Sequence, residues 1–380
     1  MTHFRTTHTG SLPRPPKLIA SLMARERGDM PPAIDSEIEV AVHDVVKRQA
    51  DAGIDLIDDG EMGKIGFAMY IKDRLTGFGG QTEWVGRRRP EMEDHPDFAE
   101  RFAATLNTTV LSTPACNAEI RMKSLDDVRA DVERLTSAAQ AAGVTLDRLF
   151  MTAPSPGVIS HFFGNVHYPS RRKYLEALAD AMREEYEVVA GAGITLQVDC
   201  PDLAMSRHSV FADLSVDEFR REAAANVEVL NHALARIPAE RLRMHVCWGN
   251  YEGPHNHDIE LKDIIDIVFS AKPAGISLEA SNPRHGFEWE VFADAKLPEG
   301  KYLIPGVVDS TNNYVEHPRL VAQRLLNYAR VVGPERVVGG SDCGFGTVAT
   351  MAMVAPSIVW SKLASLAEGA RLASVAMAAG

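Results

Sequence analysis

The feature that most constrains the fold is a regular alternation of short β-rich runs with longer amphipathic stretches. We predict strands at residues 54–58, 149–152, 195–199, 242–247, 275–278, 302–308 and 336–339, with a further strand at 108–112. Between them, stretches such as 171–190 and 216–235 carry apolar residues at three- and four-residue steps, as a helix packed on a sheet requires. Such alternation indicates a parallel sheet, and about eight units favour a closed barrel. The sequence therefore predicts an α/β fold, a single (β/α)8 TIM barrel.

Chemically capable side chains follow nearly every predicted strand. In a barrel the C-terminal strand ends converge on one mouth, where the functional site lies. Polar runs at 79–101, 250–258 and 281–300 predict inserted loops at this C-terminal mouth. We therefore expect one site there, built from acids, thiols and an imidazole: Asp59, Glu61, Asp199, Cys200, His245, Cys247, Glu279, Asp309, Asp342 and Cys343.

Length and charge limit the partners. A chain of 380 residues can hold two domains, but α/β barrels with insertions commonly reach this length, so we expect one domain over residues 1–380. The net charge of −12 argues against a nucleic-acid surface, which needs clustered Lys and Arg. The one basic run, residues 87–89, is followed by Glu91, Glu93 and Asp94, which predicts a solvated loop.

The termini and the cysteines indicate a reducing compartment. Residues 1–15 contain no apolar segment, so we expect no secretory signal. The apolar C-terminus from Trp360 is interrupted by Lys362, Glu368 and Arg371, which predicts a docked helix rather than a membrane span. The cysteines are scattered without a disulfide pattern, and we expect free thiols in the cytoplasm: Cys116, Cys200, Cys247 and Cys343.

The strongest local motif is the pair His245 and Cys247. Residues two apart on a strand point to the same face, so both side chains can enter the barrel. Imidazole and thiolate suit Zn²⁺, and Glu279 and Cys343 offer further ligands from later strand ends. A buried histidine beside a structural cysteine is the competing interpretation. With two thiolates, such a site favours activation of a thiol nucleophile over hydrolysis by a zinc-bound water.

Several short motifs in a fixed order extend this interpretation over most of the chain. They are HTGSLPRP (8–15), DGEM (59–62), QVD (197–199), HVC (245–247), LEAS (278–281), GVVD (306–309) and SDCG (341–344). Together they resemble the cobalamin-independent methionine synthase family, specifically its catalytic C-terminal barrel. The resemblance implies zinc-dependent transfer of a methyl group to a thiol acceptor, homocysteine, to give methionine.

The resemblance also assigns residues. It implies zinc ligands at His245, Cys247, Glu279 and Cys343, which would carry the catalysis. It implies that Gly10 and Ser11 meet the homocysteine carboxylate, and that Glu61 and Asp199 meet its ammonium. Opposite charges at these places are electrostatically reasonable.

The sequence departs from the family in ways that leave the methyl donor open. We expect no room for the second, folate-assisting barrel of the long synthases, and residues 200–202 replace the family's usual Glu-Pro-Ala. The expected donor is therefore a folate, a corrinoid or another carrier. Alkyl transfer to a thiol such as coenzyme M, as in epoxide opening, is the alternative. Arg14, beside the Gly10–Ser11 turn, is expected to bind the acceptor and suits a sulfonate as well as a carboxylate. A third hypothesis is a non-catalytic corrinoid- or folate-binding barrel.

The remaining titratable residues give weaker signals. Four histidines in polar loops are expected to be exposed: His255, His257, His285 and His317. Cys116 is expected to be structural. Cys200 follows Asp199 and has no role that the resemblance supplies. The number of subunits is not indicated, although a homo-oligomer is compatible with the sequence.

Overall fold

A curled parallel sheet forms the frame of the molecule. The computed structural model describes residues 3–80, 89–106 and 113–379. Its strands are β1 (Phe78–Gly80), β2 (Ala115–Cys116), β3 (Phe150–Pro154), β4 (Thr195–Asp199), β5 (Leu242–Val246), β6 (Gly275–Glu279), β7 (Tyr302–Val308) and β8 (Gly340–Ser341). Strands β3 to β8 pair in parallel, each with the next along the chain, whereas β1 and β2 form a separate antiparallel pair. The six-stranded parallel sheet is the larger part of a TIM barrel.

Two segments with single bridging residues close the ring. Ile57 pairs in parallel with Leu149, and Thr6 pairs in parallel with Gly339. The N–H groups of Asp55 and Leu56 both donate to the carbonyl of Thr6 (3.2 and 2.9 Å), which joins the two segments. The barrel prediction is therefore confirmed. One strand position of the barrel, the segment around Thr6, was not indicated by the sequence. The strand expected at 108–112 lies outside the described residues.

Helices surround the ring. They are α1 (Pro16–Glu26), α2 (Ile34–Asp51), α3 (Ile71–Arg74), α4 (Pro90–Asp94), α5 (Pro96–Leu106), α6 (Asp126–Ala141), α7 (Pro156–Phe162), α8 (Arg171–Gly191), α9 (Val216–Ala233), α10 (Ile265–Ser270), α11 (Val291–Asp294), α12 (Pro318–Val332) and α13 (Pro356–Ala379). Helix α8 packs on α9, and α12 packs on α13. Ser215 begins α9 with a reciprocal capping box to Glu218, which satisfies backbone donors at the helix start.

Two predictions about individual segments have different outcomes. The run 79–101, expected to be an inserted loop, contains α4 and most of α5 in its described part. The C-terminal helix α13 is docked as expected, because Lys362 is fully buried and pairs with Glu316 (3.0 Å). Among the described ranges, no helix is long and apolar enough to cross a membrane.

The alternation of side chains along the strands separates an apolar outer layer from a polar interior. Val198 and Met244 are fully buried in the hydrophobic core. Their neighbours Gln197 and Arg243 are also buried but are hydrogen-bonded to each other across the strands (2.7 Å). Because facing alternates with each residue, the polar row continues to Asp199 and His245 at the strand ends. The barrel interior therefore leads directly to the polar mouth.

Candidate metal and substrate site

A cavity of about 570 Å³ lies at the C-terminal ends of the strands. Six of the predicted site residues line it: Ser11, Glu61, Asp199, His245, Cys247 and Cys343. Gly10, Arg14 and Glu279 lie behind this lining rather than in it. The barrel strands thus bring together residues that are up to 332 positions apart in the sequence, such as Ser11 and Cys343.

A compact group of metal-binding side chains forms the floor of the cavity. The ligand atoms of His245, Cys247 and Cys343 all lie within 4.8 Å of one another, and all three residues are buried. The Sγ atoms of the two cysteines are 3.8 Å apart. Two thiolates bound at about 2.3 Å to one tetrahedral zinc would be separated by about 3.8 Å. The spacing of the two sulfurs therefore fits a shared zinc ion.

His245 is prepared for coordination through one ring nitrogen. Its Nε2 is buried and has no hydrogen-bond partner among the described residues, while Nδ1 lies 3.2 Å from Ser277 Oγ. Burial, assisted by the positive charge of Arg243, lowers the pKa of His245 to about 3. The imidazole is therefore neutral, and an unpartnered buried nitrogen is the kind of atom that a metal would satisfy.

Glu279 lies beside Cys247 and is held from two sides. Its Oε1 accepts from the N–H of Trp248 (2.8 Å), and its Oε2 accepts from Asn282 Nδ2 (2.7 Å). Burial and then the negative charge of Cys247 raise its pKa well above the usual range. The three-residue group His245, Cys247 and Cys343 does not include Glu279, so its ligand role stays a prediction.

Two buried acids also line the cavity, and one of them, Asp199, is the strand partner of His245. Glu61 has a left-handed backbone (φ 57°), its Oε1 accepts from Thr152 Oγ1 (2.7 Å), and its buried Oε2 has no hydrogen-bond partner within the described ranges. Asp199 Oδ1 accepts from Gln197 Nε2 (2.7 Å). Burial and then the negative charge of Glu61 raise the pKa of Asp199 to about 8. An incoming cation would relieve both the repulsion and the unsatisfied oxygen.

The Gly10–Ser11 turn is tightly packed against the acid pair. A Cβ at Gly10 would lie 2.6 Å from Thr152 Cγ2, and its φ of 137° strains other residues. The N–H of Gly10 already donates to His8 Nδ1 (3.2 Å). Ser11 lines the cavity, and its Oγ accepts from the N–H of Gly346 (3.3 Å). Of the two, Ser11 is the residue that can meet a ligand.

Arg14 does not reach the cavity as the sulfonate hypothesis requires. Its Nε and Nη2 donate to the carbonyl of Glu61 (3.1 and 2.8 Å), and its Nη1 donates to the carbonyl of Gly346 (2.6 Å). The guanidinium is buried and lies 3.8 Å from Glu61 Oε2. Arg14 therefore holds the backbone of Glu61 and is not among the residues that line the cavity, and its role toward a ligand stays a prediction.

The outer wall of the cavity is largely apolar and comes partly from α4 and α5. Met92 and Phe102 from these helices join Phe67, Phe162, Met205 and Met351. Arg89 lines the wall and lies over the Tyr251 ring (4.8 Å), so it does not belong to a solvated loop as predicted. The Tyr251 hydroxyl donates to Glu91 (2.5 Å), which fastens α4 to the loop after β5.

Residues 127–359 match the family described as "Cobalamin-independent synthase, Catalytic domain". The chain belongs to this family. The matched region contains Asp199, His245, Cys247, Glu279 and Cys343. Ser11 and Glu61 come from outside it, yet the barrel brings them to the same cavity.

Individual relatives match this chain nearly end to end. The chain is 25% identical over 377 residues to a "Methionine synthase" of Saccharolobus islandicus (strain L.S.2.15 / Lassen #1), covering 97% of this chain and 94% of the relative. A "Methionine synthase" of Thermococcus kodakarensis is 25% identical over 372 residues, covering 97% and 92%. The named relatives and this chain thus share almost their whole length.

Solved structures support the same fold for this family member. A B12-independent methionine synthase from Shewanella sp. W3-18-1, in complex with selenomethionine, superposes with a TM-score of 0.74 at 18% identity, covering 100% of both chains. A putative vitamin-B12 independent methionine synthase from Listeria monocytogenes gives 0.65 at 16% identity, with 98% of each chain covered.

Some residues near the site were not indicated by the sequence. His285, expected to be exposed, is buried against the Trp248 ring with 4.3 Å between ring centroids. Cys200 is buried and its thiol donates to the carbonyl of Val198 (3.5 Å), away from the cavity lining. A histidine in a polar run gives no periodic signal, so the burial of His285 was not predictable from the pattern.

Proposed function

We propose that this protein transfers a methyl group to the thiol of homocysteine and so forms methionine. The observation that carries the proposal is a single cavity lined both by a zinc-compatible group and by two buried acids. The names of the relatives in Saccharolobus and Thermococcus support it. The proposed zinc ligands are His245, Cys247 and Cys343, with Glu279 as the fourth.

Zinc at these residues would lower the pKa of the acceptor thiol and keep it as a thiolate at neutral pH. The apolar outer wall excludes water from the sulfur, which keeps the thiolate nucleophilic. In the transfer, the new sulfur–carbon bond forms as the bond between the methyl carbon and its donor breaks. The donor keeps the electron pair, and the thiol proton leaves to solvent.

Charge places the amino-acid end of the acceptor. The homocysteine ammonium would lie between Glu61 and Asp199, where it would donate to Oε2 of Glu61, which accepts no hydrogen bond within the described residues. The carboxylate would lie near the Ser11 hydroxyl. Because both acids are buried, they can distinguish an amino acid from a thiol without an ammonium.

The placement of Arg14 disfavours a sulfonate acceptor. A thiol such as coenzyme M carries a sulfonate and no ammonium, so it would bring no cation to the two acids, and Arg14 would not face its sulfonate. Arg14 directs three of its N–H groups to the carbonyls of Glu61 and Gly346. The acceptor site therefore suits homocysteine better.

The test combines metal analysis with turnover. The purified protein should hold about one zinc per chain. Homocysteine and coenzyme M are each supplied with methylcobalamin or with methyltetrahydrofolate triglutamate, so that a corrinoid and a folate donor are both tested. Methionine formation with at least one donor supports the proposal. Turnover of coenzyme M alone, or zinc-independent methionine formation, would contradict it.

The arrangement of the ring supports a single domain over residues 1–380, which we also propose. Thr6 near the start of the chain pairs with Gly339 near its end, and Phe4 N donates to Ser374 Oγ (3.0 Å). Limited proteolysis should therefore release no stable half-molecule. Recovery of a folded fragment would contradict the single domain.

A further inference from the structure

One buried amide connects the two charged ends of the acceptor site. Gln197 on β4 is fully buried, and its Nε2 donates both to Asp199 Oδ1 (2.7 Å) and to the carbonyl of Thr9. Thr9 immediately precedes the Gly10–Ser11 turn. The same amide nitrogen therefore contacts the acid proposed for the ammonium and the backbone that leads to Ser11.

The orientation of this amide is determined by Arg243. The Nε of Arg243 donates to Gln197 Oε1 (2.7 Å). A guanidinium has no acceptor, so the amide oxygen must face Arg243 and the amide nitrogen must face Asp199. The reversed amide would oppose donor with donor at Arg243 and acceptor with acceptor at Asp199.

Arg243 is itself fixed in the barrel interior. Its Nη1 donates to Thr7 Oγ1 (2.9 Å) and its Nη2 to the carbonyl of His8 (2.7 Å). Its guanidinium lies 3.5 Å from the centre of the Phe150 ring. Several contacts with separate partners therefore hold the cation that orients Gln197.

We propose that Gln197 is a positioning residue for acceptor recognition, and that Arg243 orients it. The amide holds one Asp199 oxygen so that the rest of the carboxylate faces the cavity, and it fixes the chain before Ser11. The inference rests on the proposed function, since it concerns the ammonium of homocysteine. It predicts that Gln197 affects selection of the amino-acid acceptor and leaves the zinc group unchanged.

Two substitutions separate the roles of this amide. Gln197→Met fills a similar volume but removes both donors. Gln197→Glu keeps the contact with Arg243 and places a negative charge beside Asp199. Both substitutions should weaken binding of an acceptor that carries an ammonium. Gln197→Glu should weaken it more strongly, because like charges at this distance disfavour the ionised form of Asp199.

The experiment measures binding of two thiols to the zinc-loaded protein by calorimetry, without a methyl donor. The thiols are homocysteine and 4-mercaptobutyrate, which has the same chain and carboxylate but no amino group. Wild type should prefer homocysteine. We expect Gln197→Met to reduce this preference by about tenfold or more, the loss expected for a hydrogen bond to a charged group. Zinc content and binding of 4-mercaptobutyrate should change less than about threefold.

Thr7→Val is the matched control, because it removes one acceptor of Arg243 and leaves the Gln197 amide in place. It should keep the wild-type preference. The inference is overturned if Gln197→Met weakens binding of both thiols equally, or if its preference for homocysteine over 4-mercaptobutyrate is unchanged. If Gln197→Met does not fold, Gln197→Glu decides by the same ratio. Absence of a preference in wild type instead overturns the proposed function, and the inference with it.

Discussion

At the residue scale, the acid pair Glu61 and Asp199 is only partly compensated by Arg14, which lies 3.8 Å from Glu61 Oε2. Burial and then the charge of Glu61 raise the pKa of Asp199 to about 8, and Oε2 of Glu61 has no hydrogen-bond partner among the described residues. The chain holds Glu61 there in a left-handed backbone conformation, with Arg14 bound to its carbonyl. Such strain and repulsion are typical of a site shaped for a charged ligand.

This arrangement gives a direct prediction for the acceptor. Glu61→Gln and Asp199→Asn should each weaken homocysteine use by about 100-fold or more, on the order of 3 kcal/mol, because each leaves a buried ammonium partly unpaired. The measurement is kcat/KM for homocysteine and coenzyme M in competition. Arg14→Ala serves as the comparison. Because Arg14 holds the Glu61 carbonyl, this substitution should also weaken homocysteine use, whereas a sulfonate bound at Arg14 would make it impair coenzyme M selectively. Selective loss of coenzyme M use in Arg14→Ala would reverse the acceptor assignment.

The sequence indicated some of these residues and not others, for a physical reason. His245 and Cys247 were predictable because a two-residue step on a strand fixes their common face. Gln197 and Arg243 lie on equally well-predicted strands, but their roles depend on Thr7 and His8, more than 180 residues away in the chain. Arg14 was assigned to a ligand because its backbone acceptors exist only in the folded ring.

At the scale of elements, the loops after β5 and β6 are joined through Asp258. His255 Nδ1 and His285 Nε2 lie 2.8 and 3.0 Å from Asp258 Oδ2, and His208 Nδ1 lies 3.0 Å from Oδ1. His285 Nδ1 also lies 2.8 Å from Glu288 Oε2. His285 of this group packs on the Trp248 ring, and the backbone N–H of Trp248 donates to Glu279. The group therefore supports the wall of the metal site.

The charge on His285 should make stability depend on pH. Burial opposes its protonation, but Asp258 and Glu288 outweigh burial and raise its pKa from 6.5 to about 10. Its contribution is therefore complete below pH 6.5 and is lost as pH rises through about 10. The free energy of unfolding should fall over this window by up to about 1.4 kcal/mol per pH unit.

The measurement is urea unfolding of metal-free protein at several pH values. His285→Gln should flatten the slope between these limits. His167→Gln, at an exposed histidine, is the control and should keep the wild-type slope. An identical slope in wild type and His285→Gln would show that His285 is not charged in the folded protein.

A second element-scale prediction concerns α13. Lys362 on this helix pairs with both oxygens of Glu316 (3.0 and 3.1 Å), and Glu316 Oε1 also accepts from the N–H of Asp309 after β7. Lys362→Met should lower the free energy of unfolding by about 3–5 kcal/mol, because it leaves a buried carboxylate without its cation. Adding Glu316→Gln should recover part of this loss. A loss below about 1 kcal/mol would place the pair among weak surface interactions.

Elements were predictable where they are long and periodic. The pattern gave α8, α9 and the strands β3 to β7 closely, because each has a clear period. The pattern did not predict the barrel segment at Thr6. This segment contributes one bridging residue and is recognised only through its pairing with Gly339. Helix α4 and the first part of α5 were expected as loop, because the run 79–101 is polar and charged and the burial of α4 depends on contacts such as Glu91 with Tyr251.

At the scale of the whole molecule, the metal group connects distant parts of the ring. Cys247 follows β5 and Cys343 follows β8. Asp342 accepts from the N–H groups of Ala280 and Ser281 (2.8 and 2.9 Å), so the β8 end is also tied to the loop after β6. A ligand that binds these residues only when the ring is closed must stabilise the closed ring.

Removal of zinc should therefore lower the thermal midpoint of the whole chain. At a free zinc concentration about 100 times Kd, binding contributes about 2.7 kcal/mol, which corresponds to a shift of roughly 3–4 °C for a domain of 380 residues. The measurement is differential scanning calorimetry of wild type, Cys343→Ser and Cys116→Ser, each with zinc and with a chelator. Cys343→Ser should melt near the metal-free wild type under both conditions, because it loses a ligand while the barrel core remains.

Cys116→Ser is the control. The Sγ of Cys116 donates to the carbonyl of Ala118 (3.4 Å) and lies outside the metal group, so this variant should keep the full response to zinc and chelator. An equal response to the chelator in Cys343→Ser would place the zinc elsewhere in the chain.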